Sequence, residues 1–308
     1  MTSQSFPGSG RSNVLSKHAA RSSQRVDLSR LGICRGKVGA LAGIAIVLFA
    51  AVACAALLCA GAVAAAGLQV RGDLTAKQIL DSIEGKGSLA GNGCAVVEMV
   101  VERGKSQKLN RVEVMRSDDG NGTIKQLVEF LAPADVRGMK FLSITAPGEE
   151  DQMWLYLPAV GSERRIAGSA ASGKFMGTDF TFEEISASAK TWEPYKPERM
   201  PDETVDGQKC YVLRLMPESG NLPYGAVTIW IWQENVLPLR IEFFNNSKKL
   251  QKVMTFSDLK KNKSGEWQPH TIVLQDILGG SLTTVRILEM DDRPVPDEVF
   301  TLRYLRKR

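Results

Sequence analysis

Few side chains in this chain are suited to catalysis. The sequence has two histidines, His18 near the N-terminus and His270 in a strand-like segment. A Ser-His-Asp or Cys-His arrangement would depend on His270 alone, and no nucleophile motif lies near it. No P-loop, G-x-G-x-x-G motif, C-x-x-C motif or Cys/His cluster is present, so no cofactor and no metal site is expected. These residues predict a protein that is not an enzyme.

Two adjacent arginines, Arg164 and Arg165, are candidates for binding chemistry. Guanidinium groups match phosphate oxygens with paired hydrogen bonds, so these side chains could hold a phosphate or a glycan. The alternative is a solvent-exposed loop in which the arginines pair with Glu163 or Glu184. Both interpretations stay open from the residues alone.

The segment Lys174–Glu184 interrupts a long run of β-type sequence. Gly177 can turn the chain at low conformational cost, and Thr178 or Asp179 could cap a short helix. The helix would have an apolar face made of Phe175, Met176, Phe180 and Phe182. The segment is therefore predicted to lay a short amphipathic helix on another surface.

The elements that position these residues are mostly strands. Thr75 and Gln78 predict a capping box that starts a short helix. Beyond it, apolar and polar residues alternate in many segments, and turns such as Asp118–Gly122 and Asp206-Gly207 separate them. About ten or eleven strands with short turns predict a large curved antiparallel sheet or barrel, with no β-α-β unit.

The N-terminal part has the pattern of an export segment. Residues 1–37 carry seven Lys/Arg against one acidic residue, and Val38–Ala66 is uncharged and largely apolar. This order is typical of a secretory signal, and the apolar run is also long enough to serve as an uncleaved membrane anchor. We expect residues 1–66 to be a basic region with a signal peptide or anchor, and residues 67–308 to form one exported domain.

The positive net charge belongs to this N-terminal part. The chain has a net charge of +5 and residues 1–37 contribute +6, which leaves about −1 for the exported domain. Nucleic-acid binding is therefore not expected.

Two cysteines, Cys94 and Cys210, lie in the expected domain. In an oxidising compartment they could form a disulfide, or they could remain two buried thiols. The sequence leaves both possibilities open.

Three motifs in order carry a resemblance to a known family. They are Trp154–Pro158 (WLYLP), then Arg164-Arg165-Ile166, then Lys174–Glu184 (KFMGTDFTFEE). This order resembles the outer-membrane lipoprotein-sorting family of the LolA/LolB/LppX-like superfamily. The resemblance covers most of Leu74–Arg308 and is sharpest over Gly138–Glu184.

The resemblance implies a fold and a function. The fold would be mainly β, an incomplete antiparallel barrel wrapped around a short helical lid or plug. The function would be that of a periplasmic carrier, which binds lipid or lipoprotein acyl chains in a hydrophobic cavity for sorting to the outer membrane. An inner-membrane lipid or lipoprotein exporter is the further partner it implies. The alternative is a membrane-anchored docking module of an envelope lipid exporter, with no shuttle activity of its own.

The resemblance also assigns candidate residues to that cavity. Alternation alone is equally compatible with a closed core, and the resemblance favours a cavity. The candidates for its lid and walls are Phe175, Met176, Phe180, Phe182, Leu155, Leu157, Ile229, Ile231, Phe243 and Phe256. The same four residues of the 174–184 segment could instead staple its helix to the sheet. Arg164 and Arg165 are the head-group candidates.

Overall fold

The computed structural model describes residues 74–83, 86, 91–186, 189–220, 222–262 and 265–307. The predicted signal or anchor and its boundary at residue 66 lie outside these residues. Within the described part, no helix has both the length and the apolar character needed to cross a membrane. The described residues all fall in one compact unit.

Strands make up most of the described chain. They are β1 Gly93–Arg103, β2 Ser106–Asp118, β3 Ile124–Ala132, β4 Lys140–Thr145, β5 Gln152–Leu157, β6 Ser162–Ile166, β7 Tyr195–Val205, β8 Gln208–Pro217, β9 Ala226–Trp232, β10 Leu237–Phe244, β11 Leu250–Lys261, β12 Trp267–Asp276 and β13 Ser281–Asp291. The helices are α1 Ala76–Ser82, α2 Phe182–Ser186 and α3 Leu302–Leu305, and short 3-10 turns include Ala189–Trp192 and Asp297–Phe300.

All thirteen of these strands belong to one antiparallel sheet. Its order is β6-β5-β4-β3-β2-β1-β13-β12-β11-β10-β9-β8-β7. Pairing of β1 with β13 joins the N-terminal and C-terminal halves. Strands β6 and β7 form the two ends of this order, so the sheet stays open. The predicted fold class, an incomplete antiparallel barrel with few helices, is confirmed.

The sheet has more strands than the ten or eleven expected from the sequence. Strand β6 contains Arg164 and Arg165 and pairs with β5, so these residues do not form the solvent-exposed loop that was one of the two interpretations of the sequence. Edge strands accept charged side chains because one flank stays in water. The Asp206-Gly207 turn between β7 and β8 is formed as predicted, with positive φ at both residues.

The core lies on one face of the sheet, together with residues of α1 and of the segment before α2. Alternation along the strands delivers fully buried side chains such as Val97, Leu213 and Ile229 to this core. Cys210, Trp232 and Leu239 form a smaller cluster. Because Cys210 precedes the core residue Tyr211 on β8, this cluster lies on the opposite face.

Cys94 and Cys210 do not form the disulfide that the sequence left possible. Cys210 is a free, buried thiol, whereas Cys94 is disulfide-bonded, so the two do not bond to each other. Cys94 lies on β1 and Cys210 on β8, with five strands between them in the sheet order. A disulfide requires Cα atoms within about 7 Å, and the sheet holds these strands apart.

Candidate functional site

A cavity of about 1000 Å³ lies against the core face of the sheet. One part of its sheet wall is apolar and comes from β10, β11 and β12, with the side chains of Ile241, Phe243, Met254, Phe256 and Ile272. The other side is contributed by Leu80 and Ile83 at α1, Phe180 and Ile185 around α2, and Trp192. The cavity thus has an apolar interior between the sheet and the helical segments.

The rim of the cavity reaches both free edges of the sheet. Arg165 on β6 and Lys196 on β7 both line it. Exposed charged side chains mark this rim, including Lys77 and Asp81 of α1, which form an ion pair at 2.9 Å. The cavity therefore lies at the seam that the unclosed sheet leaves between β6 and β7, with α1 beside it.

The segment before α2 is anchored through Asp179, whose side chain is fully buried. Its carboxylate accepts hydrogen bonds from Ser281 at 2.5 Å and Thr283 at 2.8 Å on β13, and from Lys174 at 3.1 Å. Lys174 Nζ also lies 2.9 Å from Asp276 Oδ2. Burial lowers the pKa of Lys174, but hydrogen bonds to Asp276 and Asp179 raise it more, so the net shift is upward.

A second buried ion pair holds α2 itself. Lys252 on β11 donates to the carbonyl of Asp179 at 2.9 Å and to Glu184 Oε2 at 3.2 Å. The Tyr224 hydroxyl donates to Glu184 Oε1 at 2.5 Å. Burial raises the pKa of Tyr224, and the negative charge of Glu184 raises it further. Together the two ion clusters fix the segment and α2 to β11, β12 and β13.

The cap of α2 differs from the prediction. The helix is capped by Thr181 and not by Thr178 or Asp179. Thr181 Oγ1 accepts a hydrogen bond from the Glu184 amide at 3.1 Å. In return, Glu184 Oε2 accepts one from the Thr181 amide at 2.8 Å. Thr178 instead closes the preceding turn onto Phe175, and Asp179 is used for the ion cluster. Gly177 makes the predicted turn with φ +82°.

The aromatic residues of the segment divide into two groups. Phe175 and Phe182 pack on each other with ring centroids 5.4 Å apart, and both contact Phe141 of β4. Phe180 lines the cavity, while Met176 packs against the core with φ +47°. The contacts of Phe175 and Phe182 are those of a staple, and Phe180 is the member that faces the cavity.

The structure brings together only some of the predicted site residues. Those that line the cavity are Phe180, Phe243, Phe256 and Arg165. Those that belong to the core or pack against it are Phe175, Met176, Phe182, Leu155, Leu157, Ile229 and Ile231. Arg164 is exposed and lies opposite Leu155 in the register of β6 and β5.

The arginines do not pair as the loop interpretation expected. Arg165 lies 3.8 Å from Glu150, whereas Glu163 pairs with Arg306 and Glu184 with Lys252. The hydrogen bonds from Arg306 lower the pKa of Glu163 to about 2.

Sequence reasoning identified Phe243 but missed the other three residues of an aromatic wall of the cavity. Trp192, Tyr195, Tyr224 and Phe243 all line it. Ring centroids lie 4.7 Å apart for Tyr224 and Phe243, 6.3 Å for Trp192 and Tyr195, and 6.4 Å for Trp192 and Phe243. Three of the four come from loops or strand ends, where no alternation pattern could identify them.

One half-buried carboxylate lies beside this wall. Burial raises the pKa of Glu183, and the charges of Glu184 and Asp151 add to the shift. Burial also raises the pKa of Tyr195 and of Tyr224, and the charge of Glu183 contributes to both shifts. Glu183, in the first turn of α2, lines the same cavity as the two tyrosines. Among the described residues, no group of three or more His, Cys, Asp or Glu side chains is placed to hold a metal.

An open antiparallel sheet that covers an apolar cavity with helical segments defines a fold class, and comparison with known proteins places the chain within it. The model of a family described as an uncharacterized protein matches residues 122–307, more than half of the chain. An outer membrane lipoprotein-sorting protein domain from Vibrio parahaemolyticus is similar with TM-score 0.68 and 26% identity, covering 75% of this chain and 100% of that one.

Two further solved structures are similar over nearly the same region. A DUF1329 family protein from Desulfovibrio piger has TM-score 0.65 and 25% identity, covering 73% of this chain and 94% of that one. A LolA superfamily protein from Nitrosomonas europaea has TM-score 0.59 and 25% identity, covering 75% of this chain and 100% of that one. The comparison with curated proteins found no match. The chain belongs to the family of the model that matches residues 122–307, and its fold is LolA-like.

Proposed function

We propose that this protein is a periplasmic carrier that shields lipid or lipoprotein acyl chains on their way to the outer membrane. The observation that carries the proposal is the apolar cavity of about 1000 Å³ between the sheet and its helical segments. Its volume is at the upper end of the range of about 300–1,000 Å³ for small-molecule sites. The lipoprotein-sorting domain among the similar structures supports the choice of cargo.

The binding would be non-covalent. An acyl chain gains about 0.8 kcal/mol for each methylene group that it buries, and the wall of Ile241, Met254 and Phe256 offers no directional contact. Phenylalanine and methionine side chains adapt to chains of different length. The seam between β6 and β7 is the route by which a chain would enter from the rim.

In this proposal the expected domain of residues 67–308 carries the cavity, and residues 1–66 direct export or hold the protein at the membrane. An inner-membrane exporter would release the cargo to it. No feature of the described residues favours a docking module that carries no lipid. The carrier would need no covalent chemistry from the protein.

A cavity-filling substitution tests the proposal. Ile241→Trp places a larger side chain in the cavity wall, and we expect it to weaken binding of a fluorescent fatty-acyl probe at least tenfold. Leu288→Trp, on an exposed position of β13, adds the same ring outside the cavity and should bind like wild type. Thermal unfolding checks that both variants fold, and Met254→Trp is a second cavity-filling change in the wall. Equal binding by the folded cavity variants would refute the assignment.

Ile231→Asp is not a suitable test. Ile231 is fully buried in the core, so an aspartate there would bury an unpaired charge and unfold the domain. Loss of binding by that variant would not separate capture from folding.

A further inference from the structure

The described lining of the cavity carries more negative than positive side chains. Seven carboxylates and four cationic side chains are among its described lining residues. Three of these carboxylates have a cation close by: Asp81 pairs with Lys77, Glu150 with Arg165 and Glu184 with Lys252. The remaining lining is still more acidic than basic, so the cavity is a poor match for a head group that is only anionic.

Glu183 is one of the carboxylates that line the cavity. It is half-buried in the first turn of α2, and its oxygens lie 3.4 Å from the Ser172 hydroxyl, a long hydrogen bond. Burial raises the pKa of Glu183, which means that the surroundings of this side chain disfavour its charged form. A cation brought in by a ligand would stabilise the charged form.

The aromatic wall provides a second contact for a cation. Cations bind the faces of tryptophan and tyrosine rings at about 6 Å or less from the centroid. The wall already holds one in this way, because Nζ of Lys252 lies 5.7 Å from the centroid of Tyr224. Within the part of the chain that the structure describes, no lysine or arginine lies over the other three rings of this wall, Tyr195, Trp192 and Phe243. Tyrosine and tryptophan bind cations more strongly than phenylalanine when the cation is desolvated, so Tyr195 and Trp192 are the rings considered for a ligand.

We propose that the cavity selects amphiphiles whose head carries a protonated amine or a quaternary ammonium, held between Glu183 and the rings of Tyr195 and Trp192. This inference rests on the proposed function, because it assumes that the apolar wall takes the alkyl chain. In this proposal the selectivity for head groups comes from Glu183 and the aromatic rings. The sequence had instead suggested Arg164 and Arg165 as the residues that bind a head group. Arg164 is not among the lining residues, and Arg165 already has Glu150 as a neighbour.

The experiment compares ligands with one chain and different heads. Dodecylamine, dodecyltrimethylammonium, dodecanol and dodecyl sulfate would displace a neutral hydrophobic dye from the full chain isolated from the cell envelope, below their micelle concentrations and at neutral pH. We expect the two cationic ligands to bind about tenfold tighter than dodecanol, and dodecyl sulfate to bind most weakly. Each tenfold step corresponds to about 1.4 kcal/mol.

Glu183→Gln keeps the shape of the side chain and removes its charge. We expect this variant to lose most of the preference for cationic heads while dodecanol binds as before. Glu234→Gln, an exposed residue of the turn between β9 and β10, changes the net charge equally and should keep the preference. Thermal unfolding of both variants verifies the fold.

The outcomes separate the two proposals. Equal binding of all four ligands, tighter binding of dodecyl sulfate, or a preference that survives Glu183→Gln would overturn the selectivity and leave the carrier function standing. Failure of both the dye and every alkyl ligand to bind would overturn the carrier function itself.

Discussion

Asp179 is buried for a structural reason that its sequence context does not reveal. The Thr-Asp pair has the composition of a helix cap, yet Asp179 is used to bond Lys174 and two hydroxyl groups of β13. The two hydroxyl groups belong to residues more than a hundred positions along the chain, so local pattern cannot predict these bonds. The aspartate thereby fixes one wall of the cavity.

Asp179→Asn should therefore destabilise the fold. The amide cannot satisfy Lys174 and both hydroxyls at once, and breaking a buried polar cluster typically costs about 2–3 kcal/mol. Urea unfolding measures the free energy of unfolding of wild type and of each variant. Asp81→Asn is the control, because its pair with Lys77 is exposed and contributes only about 0.3 kcal/mol. Similar losses in both variants would contradict the role given to Asp179.

The same cluster predicts a dependence of stability on pH. Burial tends to raise the pKa of Asp276, but hydrogen bonds from Lys174 and from the Gly279 amide outweigh it, so the pKa lies below 3.8. For a carboxylate with a depressed pKa, the added stability is present above the unfolded value and is lost as pH falls through the folded value. The difference in free energy of unfolding between wild type and Asp276→Asn should therefore be constant at pH 5–7. It should become smaller in more acidic solution. A gap that persists unchanged at low pH would count against this account.

At the scale of elements, the two helical segments beside the cavity are held in different ways. The segment before α2 is fixed by buried ions and by the Phe175–Phe182 staple. Helix α1 has about two turns and begins with the capping box of Thr75 and Gln78. Its residue Ile79 and its C-cap residue Ile83 belong to the core. A hydrogen bond from Arg199 to the Leu74 carbonyl links its start to β7. We expect α1, rather than α2, to move when cargo enters.

Thr75→Ala tests this expectation. Loss of the capping box costs about 1 kcal/mol, so amide exchange of residues 76–82 should accelerate about fivefold, and release of a bound acyl probe should become faster. Thr301→Ala is the matched control, since Thr301 caps α3 by accepting from the Tyr304 amide and does not line the cavity. Faster release in the control, or faster exchange in α2 but not in α1, would show that the wrong element was chosen.

Sequence periodicity predicted most of the elements but not the arrangement of the site. The alternation in segments such as Val97–Val101 and the Asp206-Gly207 turn depend on neighbours in the chain, so these predictions are confirmed. Strand β6 was missed because its charged residues lie at an edge. The aromatic wall was missed because Trp192, Tyr195 and Tyr224 meet only through tertiary folding.

At the scale of the whole molecule, the cavity lies where the sheet stays open. Small barrels fill their interior with side chains and larger ones enclose cavities, so alternation along the strands could not show which case applies here. Here β6 and β7 do not pair, and the lining of the cavity extends to both. Ile229 and Ile231, predicted as cavity residues, lie in the filled part, while Phe243 and Phe256 lie along the cavity.

The central claim is that this cavity carries lipid, and native mass spectrometry with lipid extraction tests it most directly. The full chain would be isolated gently from the envelope of its own host, beside the Ile241→Trp variant. We expect wild type to carry an extractable lipid or lipopeptide and the variant to carry much less. A wild-type protein that is ligand-free, or a variant that retains as much lipid, would contradict the account.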